Sequence, residues 1–171
     1  AAGTSLAGQV VGDGLVVDIS RHMNRILELN VQEEWVRVEP GVVLEALHSY
    51  TKPYGLFFGP ETSTSNRCCM GGMVGNNSCG LHSLVYGSVR DHLLEAKVVL
   101  GDGTEVVLKG LTVDEGEGKL ESDTLEGEIY RKVVGMLREH KTEILEHYPD
   151  PALRRRNSGY AMDQLLYSGY F

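Results

Sequence analysis

The sequence predicts an α+β fold, and three observations carry that prediction. Short β-prone runs are followed by helical stripes and a hairpin, without the regular strand–helix–strand rhythm of a doubly wound sheet. No Gly-x-Gly-x-x-Gly sits at a strand-to-helix turn, so a Rossmann-type site is unsupported. Two β-rich runs meet at Gly101-Asp102-Gly103, a tight-turn signal that joins neighbouring strands antiparallel.

Residues 15–20 (LVVDIS) form an apolar run after Gly12-Asp13-Gly14 and are expected to be a strand. Residues 35–39 alternate, with Val36 and Val38 on one side and Trp35, Arg37 and Glu39 on the other, and Pro40-Gly41 ends that strand. Residues 42–50 carry apolar side chains at 43, 44, 47 and 50, a helical spacing that stops near Pro53 and Gly55. Residues 59–80 have no period and are rich in Gly, Ser, Thr and Asn. Residues 93–100 and 104–108 are the two hairpin strands. Residues 110–124 are acidic and read as a surface excursion. Residues 125–147 carry a helical stripe at 129, 133, 137 and 144, ended by Pro149-Asp150-Pro151.

A chain of 171 residues suffices for one core, divisible into two lobes. Glycine, at 21 residues, exceeds the usual share of roughly 7% without any repeat period, which points to tight turns and close backbone approaches. The net charge of −8 argues against a general nucleic-acid binder. It leaves an anionic ligand open, because backbone N–H groups hold phosphate without Lys or Arg. Cys68, Cys69 and Cys79 are odd in number and form neither a CxxC pair nor a Cys/His ladder, so no metal site, no iron–sulfur cluster and no disulfide scaffold is expected. No apolar run approaches the roughly 18 residues that a membrane span requires, and no signal peptide is visible. Both ends read as cut from a longer protein.

Three segments carry chemistry. In Gly3-Thr4-Ser5-Leu6-Ala7-Gly8, small residues turn sharply and present N–H and hydroxyl donors; by itself this reads as a plain turn. In Pro60-Glu61-Thr62-Ser63-Thr64-Ser65 and 70–80 (MGGMVGNNSCG), a glycine pair lets backbone approach a ligand, Met73 and Val74 anchor the turn, and Asn76, Asn77 and Ser78 tolerate unusual angles. That density of small residues favours a ligand over a structural loop. Tyr86-Gly87-Ser88-Val89-Arg90-Asp91 reads as structural, with Arg90 and Asp91 as an ordering pair.

Taken in order, GTSLAGQ, LVVDISRHMNRILEL, VEPGV, PETSTSNRCCMGGMVGNNSCG and YGSVRDHLLEAKVVLGDG resemble the vanillyl-alcohol-oxidase (PCMH-type) FAD-binding domain. Within it the chain is most similar to the branch of glycolate oxidase flavin subunits, D-lactate dehydrogenases and D-2-hydroxyglutarate dehydrogenases, which includes large oxidases fused to an iron–sulfur module. The resemblance runs from residue 1 to about residue 108 and resumes at Arg155-Arg156-Asn157-Ser158-Gly159-Tyr160. It implies one FAD-binding domain over residues 1–171, with a mixed sheet and flanking helices, incomplete at its N-terminal subdomain and lacking the substrate domain. It implies that Gly3, Thr4 and Ser5 form a first pyrophosphate loop. Pro60 and Ser63 match a turn beside the flavin, and Gly71, Gly72, Asn76 and Gly80 match a second loop along pyrophosphate and ribityl. Tyr86 and Gly87 match a following Tyr-Gly. The first loop has neither His nor Cys, so non-covalent FAD is expected. No catalytic residue is assigned: the six histidines are scattered, and Arg154, Arg155 and Arg156 read as a solvated charge run.

The function so implied is the FAD-binding part of a dehydrogenase passing hydride from a D-2-hydroxy acid (glycolate, D-lactate or D-2-hydroxyglutarate) to flavin. Its electrons would leave to an acceptor such as an iron–sulfur domain or subunit. A cytoplasmic location is implied, peripheral to the membrane if the acceptor is. A reductase of the UDP-N-acetylenolpyruvoylglucosamine type and a non-catalytic module that has lost FAD are the alternatives. The isolated stretch is expected to fold, to hold FAD weakly or not at all, and to be inactive.

Overall fold

In a computed structural model, residues 3–4, 11–153 and 159–169 are described, and the chain divides into two units, residues 1–92 and 93–171. Ser5 and the arginines Arg154, Arg155 and Arg156 lie outside the described residues.

The first unit is built on a ribbon of β1 (Ile26–Asn30) and β2 (Trp35–Val38), paired antiparallel as Asn30 with Trp35 and Ile26 with Val38. Its turn is fixed by Asn30, whose Oδ1 accepts from the N–H groups of Gln32 (3.1 Å) and Glu33 (3.0 Å). Its open end is closed by Arg25, whose backbone N–H and guanidinium both donate to the Glu39 carboxylate at 2.7–3.1 Å. Sequence reasoning passed over β1 because its register slips between Ile26 and Glu28, which breaks the period of two.

The strand expected at residues 15–20 does not form. Val11, Leu15, Val16 and Val17 are exposed, and residues 11–18 have no ladder partner among the described residues. β-propensity marks a residue that suits a pleated surface, but a strand requires a neighbour. Residue 18 instead closes a local turn, Asp18 Oδ1 accepting from the Ser20 N–H at 2.9 Å and the Ser20 hydroxyl at 2.6 Å.

Helix α1 (Leu44–Thr51) follows Pro40-Gly41, buries Leu44, Leu47 and Thr51, and yields to a 3-10 turn at Lys52–Tyr54 that Gly55 ends with φ +71°. The segment 59–80, read as aperiodic, contains a short helix α2 (Met70–Gly75) that buries Met70 and Met73. The core of this unit joins Val42, Leu44, Leu47, Cys68, Met70, Met73 and Val89, with Ile26, Val36 and Val38 of the ribbon packed on it. Helix α3 (Ser83–Tyr86) and a 3-10 turn (Val89–His92) complete it.

In the second unit β3 (Glu95–Val99) and β4 (Glu105–Lys109) form the expected hairpin, Val98 opposite Val106, turned at Gly103 with φ +87°. The excursion expected at 110–124 is mostly a helix, α4 (Val113–Glu121), started by a reciprocal cap: the Glu115 N–H donates to Thr112 Oγ1 and the Thr112 N–H to the Glu115 carboxylate. The Thr-x-x-Glu spelling carries that signal, and the acidic composition masks it. The single helix expected over 125–147 is two, α5 (Leu125–Glu139) and α6 (Lys141–His147), parted at His140. An apolar stripe does not register a one-residue break. Leu137, Val134 and Ile144 are buried, and α7 (Met162–Tyr167) contacts α5 and α6.

Both sheets among the described residues are two-stranded and antiparallel. The expected mixed sheet is therefore not seen in them. Each ribbon is closed by a turn of a few residues, whereas a parallel neighbour needs a crossover of a dozen or more.

Candidate FAD-binding site

The site begins with how the sequence Val-Glu-Pro-Gly-Val holds the glycine-rich segment. The Gly71 N–H donates to Pro40 O (2.8 Å), Met70 N–H to Val42 O (2.8 Å), Leu44 N–H to Cys68 O (3.1 Å) and Glu45 N–H to Ser65 O (3.0 Å). Residues 40–45 thus run beside 65–71 as an irregular ladder, with an antiparallel bridge between Val43 and Cys69. Gly71 is required by this contact: a Cβ there would lie 2.6 Å from Pro40 Cβ. Its glycine character serves packing, while its neighbour Gly72 is exposed and its N–H has no acceptor among the described residues. Gly75 is also open, with nothing within 4 Å of a would-be Cβ.

The second contact joins 59–62 to 80–86. A Cβ on Gly80 would lie 1.4 Å from Glu61 O, and one on Gly59 would lie 2.6 Å from Tyr86 Cβ. Gly80 and Ser83 exchange bonds, the Gly80 N–H donating to Ser83 Oγ (2.8 Å) and the Ser83 N–H to Gly80 O (3.1 Å). His82 Nδ1–H donates to the Glu61 carboxylate at 2.8 Å. Pro60 is fully buried and Ser63 is exposed on the turn, while Thr62 and Thr64 face each other at 3.2 Å. The expected turn therefore has one residue that anchors and one hydroxyl that is presented.

The third contact joins 76–78 to 87–92. The Asn76 side chain is exposed and donates to Ser78 Oγ at 3.2 Å. Val89 N–H donates to Ser78 O (3.1 Å) and Arg90 N–H to Asn77 Oδ1 (2.9 Å). Arg90 and Asp91 were read as a pair; the geometry corrects this. Asp91 Oδ2 accepts instead from the Ser88 N–H (2.7 Å) and hydroxyl (3.0 Å), since the 3-10 turn aims its carboxylate back at its own start. Gly87 takes φ +75°, and a Cβ there would lie 2.4 Å from that carboxylate.

Residues 59–92 are thereby one interlocked piece that brings together Pro60, Ser63, Gly71, Gly72, Asn76, Gly80, Tyr86 and Gly87. Gly3, with φ +62° and open space around it, and Thr4 make no described contact with that piece. Three histidines left without a role prove structural: His48 donates to Phe58 O (3.1 Å), His92 to Tyr86 O (2.6 Å), and His82 to Glu61. His48 and His82 line a cleft of about 570 Å³ together with Lys52, Glu61, Phe57 and Tyr86, the last two edge to face at 5.3 Å. Cys69 is buried, and that burial raises its thiol above its ordinary range.

This arrangement suits a large anionic group that lies along backbone. Arg67 and Arg90 balance Glu61 and Asp91 within 59–92, so the net acidity of the chain resides elsewhere. An exposed glycine whose N–H has no acceptor among the described residues, an exposed hydroxyl and an exposed amide lie on one piece. A model of the "FAD binding domain" family matches residues 1–109, well over half of the chain. The chain belongs to the FAD-binding domain family.

This FAD-binding domain is also similar to parts of longer proteins. It is 46% identical over 158 residues to a D-2-hydroxyglutarate dehydrogenase of Pantoea ananatis and 44% identical over 158 residues to one of Escherichia coli. Each alignment covers 92% of this chain and 15% of the relative. It is 33% identical over 135 residues to the glycolate oxidase subunit GlcD of Bacillus subtilis, covering 78% of this chain and 27% of that one. The chain thus spans about 15% of the length of the first two relatives. Among the described residues, no helix is long and apolar enough to cross a membrane, and no three His, Cys, Asp or Glu are grouped to hold a metal.

Proposed function

We propose that this domain holds FAD non-covalently in a flavin-dependent dehydrogenase of a D-2-hydroxy acid, with D-2-hydroxyglutarate the foremost substrate and D-lactate and glycolate of the same class. The observation that carries the reading is the interlocked glycine-rich piece 59–92, in a chain 46% identical to a protein named for that activity. The finer fold assignment, one PCMH-type domain over residues 1–171 with a mixed sheet, belongs to the same proposal.

Gly72 N–H, Ser63 Oγ and the Asn76 amide are the donors on the second side of the cofactor, and Gly3, Thr4 and Ser5 those on the first. Fixed N–H dipoles offset the two phosphate charges without a lysine. Pro60 and Tyr86 stand at the edges, and Gly71, Gly80 and Gly87 set the backbone course that aims the donors. Bound FAD would supply a two-electron acceptor for oxidising the substrate alcohol to a carbonyl, a ketone from D-2-hydroxyglutarate or D-lactate and an aldehyde from glycolate. Electrons then pass to a separate acceptor, an iron–sulfur domain or subunit. The location is cytoplasmic, peripheral to the membrane where that acceptor is.

The test is made on the longest natural polypeptide that carries this sequence. Denaturation should release FAD, and anaerobic D-2-hydroxyglutarate should bleach the bound flavin. Release of FMN, or colour that stays on the polypeptide, overturns the cofactor reading. A flavin bleached by none of the three hydroxy acids overturns the substrate class.

A further inference from the structure

The two adjacent asparagines of the second loop do different work. The exposed Asn76 side chain donates to the Ser78 hydroxyl, and its Oδ1 has no partner among the described residues. Asn77 sits in the left-handed region at φ +44°, which few residues other than glycine adopt and which asparagine tolerates best. Its side chain is turned back into the protein, where Oδ1 accepts the Arg90 N–H at 2.9 Å. One residue on, Ser78 uses its backbone for the same purpose: its N–H reaches Met73 O (2.9 Å) and its carbonyl accepts the Val89 N–H (3.1 Å). The glycine turn and the Tyr-Gly turn are therefore fastened at two consecutive residues, and only one fastening is a side chain.

We infer that Asn77 is a positioning residue: its left-handed backbone and its bond to Arg90 fix the glycine turn 71–80 against the turn 86–91, leaving Asn76 to face the cofactor. The inference rests on the reading of this piece as the FAD site. The two requirements at position 77 can be separated by substitution. Asn77→Gly keeps the backbone angle and removes the acceptor. Asn77→Asp keeps an acceptor and tolerates the angle. Asn76→Ala removes only the outward amide.

Amide hydrogen exchange reads the fastening, and FAD titration into the apoprotein reads its consequence, both on the longest natural polypeptide that carries this sequence. Loss of one side-chain-to-backbone hydrogen bond corresponds to about a tenfold change. Asn77→Gly should speed exchange at Arg90 about tenfold and weaken FAD by a similar factor, whereas Asn77→Asp should preserve the protection of Arg90. Asn76→Ala should weaken FAD while leaving Arg90 exchange as it was. Unchanged Arg90 exchange in Asn77→Gly overturns the fastening. A lowered thermal midpoint with unchanged FAD affinity in Asn77→Gly shows a structural role alone and overturns the positioning. An unsubstituted apoprotein that takes no FAD overturns the cofactor reading and the positioning with it, while exchange at Arg90 still decides the fastening.

Discussion

The two units spend glycine differently. In residues 59–92 the glycines at 59, 71 and 80 are steric necessities, each set where a Cβ would run into backbone or a packed ring. In the second unit the glycines at 101, 110, 118 and 135 meet nothing, while Gly116 is buried in α4 and a Cβ on Gly127 would lie 2.1 Å from Ser122 O where α4 turns into α5. The first unit is held by loops interlocked through backbone and short side chains. The second is held by helices, of which α4 and α5 are capped by threonine side chains, and by one apolar stripe. A glycine count read from sequence therefore mixes glycines that close the fold with glycines that leave a surface open, and only the latter are free to meet a ligand.

The sharpest way to break this comparison is at Gly80. Gly80→Ala should destabilise the first unit by roughly 3 kcal/mol or more, because the clash is with backbone and cannot be relieved by a rotamer. Gly75→Ala, at an open position of a helix, should leave stability within about 1 kcal/mol of the parent. Urea unfolding followed by far-UV circular dichroism measures both, and equal midpoints would dissolve the distinction.

Gly72→Val tests the open class for function. Its site is exposed and has no left-handed backbone, and valine is a slightly better helix former than glycine, so folding stability should change by well under 1 kcal/mol. FAD occupancy of the natural holoprotein should fall far more, since a branched Cβ stands where a ligand approaches. Full flavin content in this variant would remove Gly72 from the site.

The second unit is probed more gently. Thr124→Ala removes the side-chain oxygen that accepts the Gly127 N–H at 3.2 Å and starts α5. A loss of about 1 kcal/mol is expected, seen as a lower thermal midpoint. No loss would mean that packing of Leu137 and Val134 alone sets where the helix begins.

The smallest effect is on pH. The backbone and side-chain bonds of Thr112 hold the Glu115 carboxyl below its usual range, with Lys109 adding to the shift. A carboxyl lowered in the folded state stabilises above its unfolded value, and the contribution is lost as pH falls through the folded one. Helix content of α4 should therefore decline on acidification below about pH 4.5, and Thr112→Val should shallow that dependence. Identical pH profiles for the two proteins would show the cap to be electrostatically idle.

Much of this was legible in advance for reasons that are local. The hairpin at 101–103 follows from turn chemistry, and α1 and α5 from the spacing of apolar residues. The density of small residues pointed to a ligand, because a close backbone approach demands residues of that size, whereas FAD followed from the resemblance of the ordered segments to a known domain. Helix α4 was equally legible in Thr112-x-x-Glu115 and was hidden only by attention to charge. Other features depend on what lies across space. Residues 15–18 have strand character without a described neighbour, β1 hides behind a slipped register, and α5 breaks at His140 where no residue type demands it. By itself the sequence determined which residues are small enough, polar enough or apolar enough for each task. The tertiary structure decided which glycine touches backbone and which faces out, that Asp91 turns to Ser88, and that Asn77 points inward while Asn76 does not. Those choices depend on distances between residues far apart in the chain, which composition and spacing do not encode.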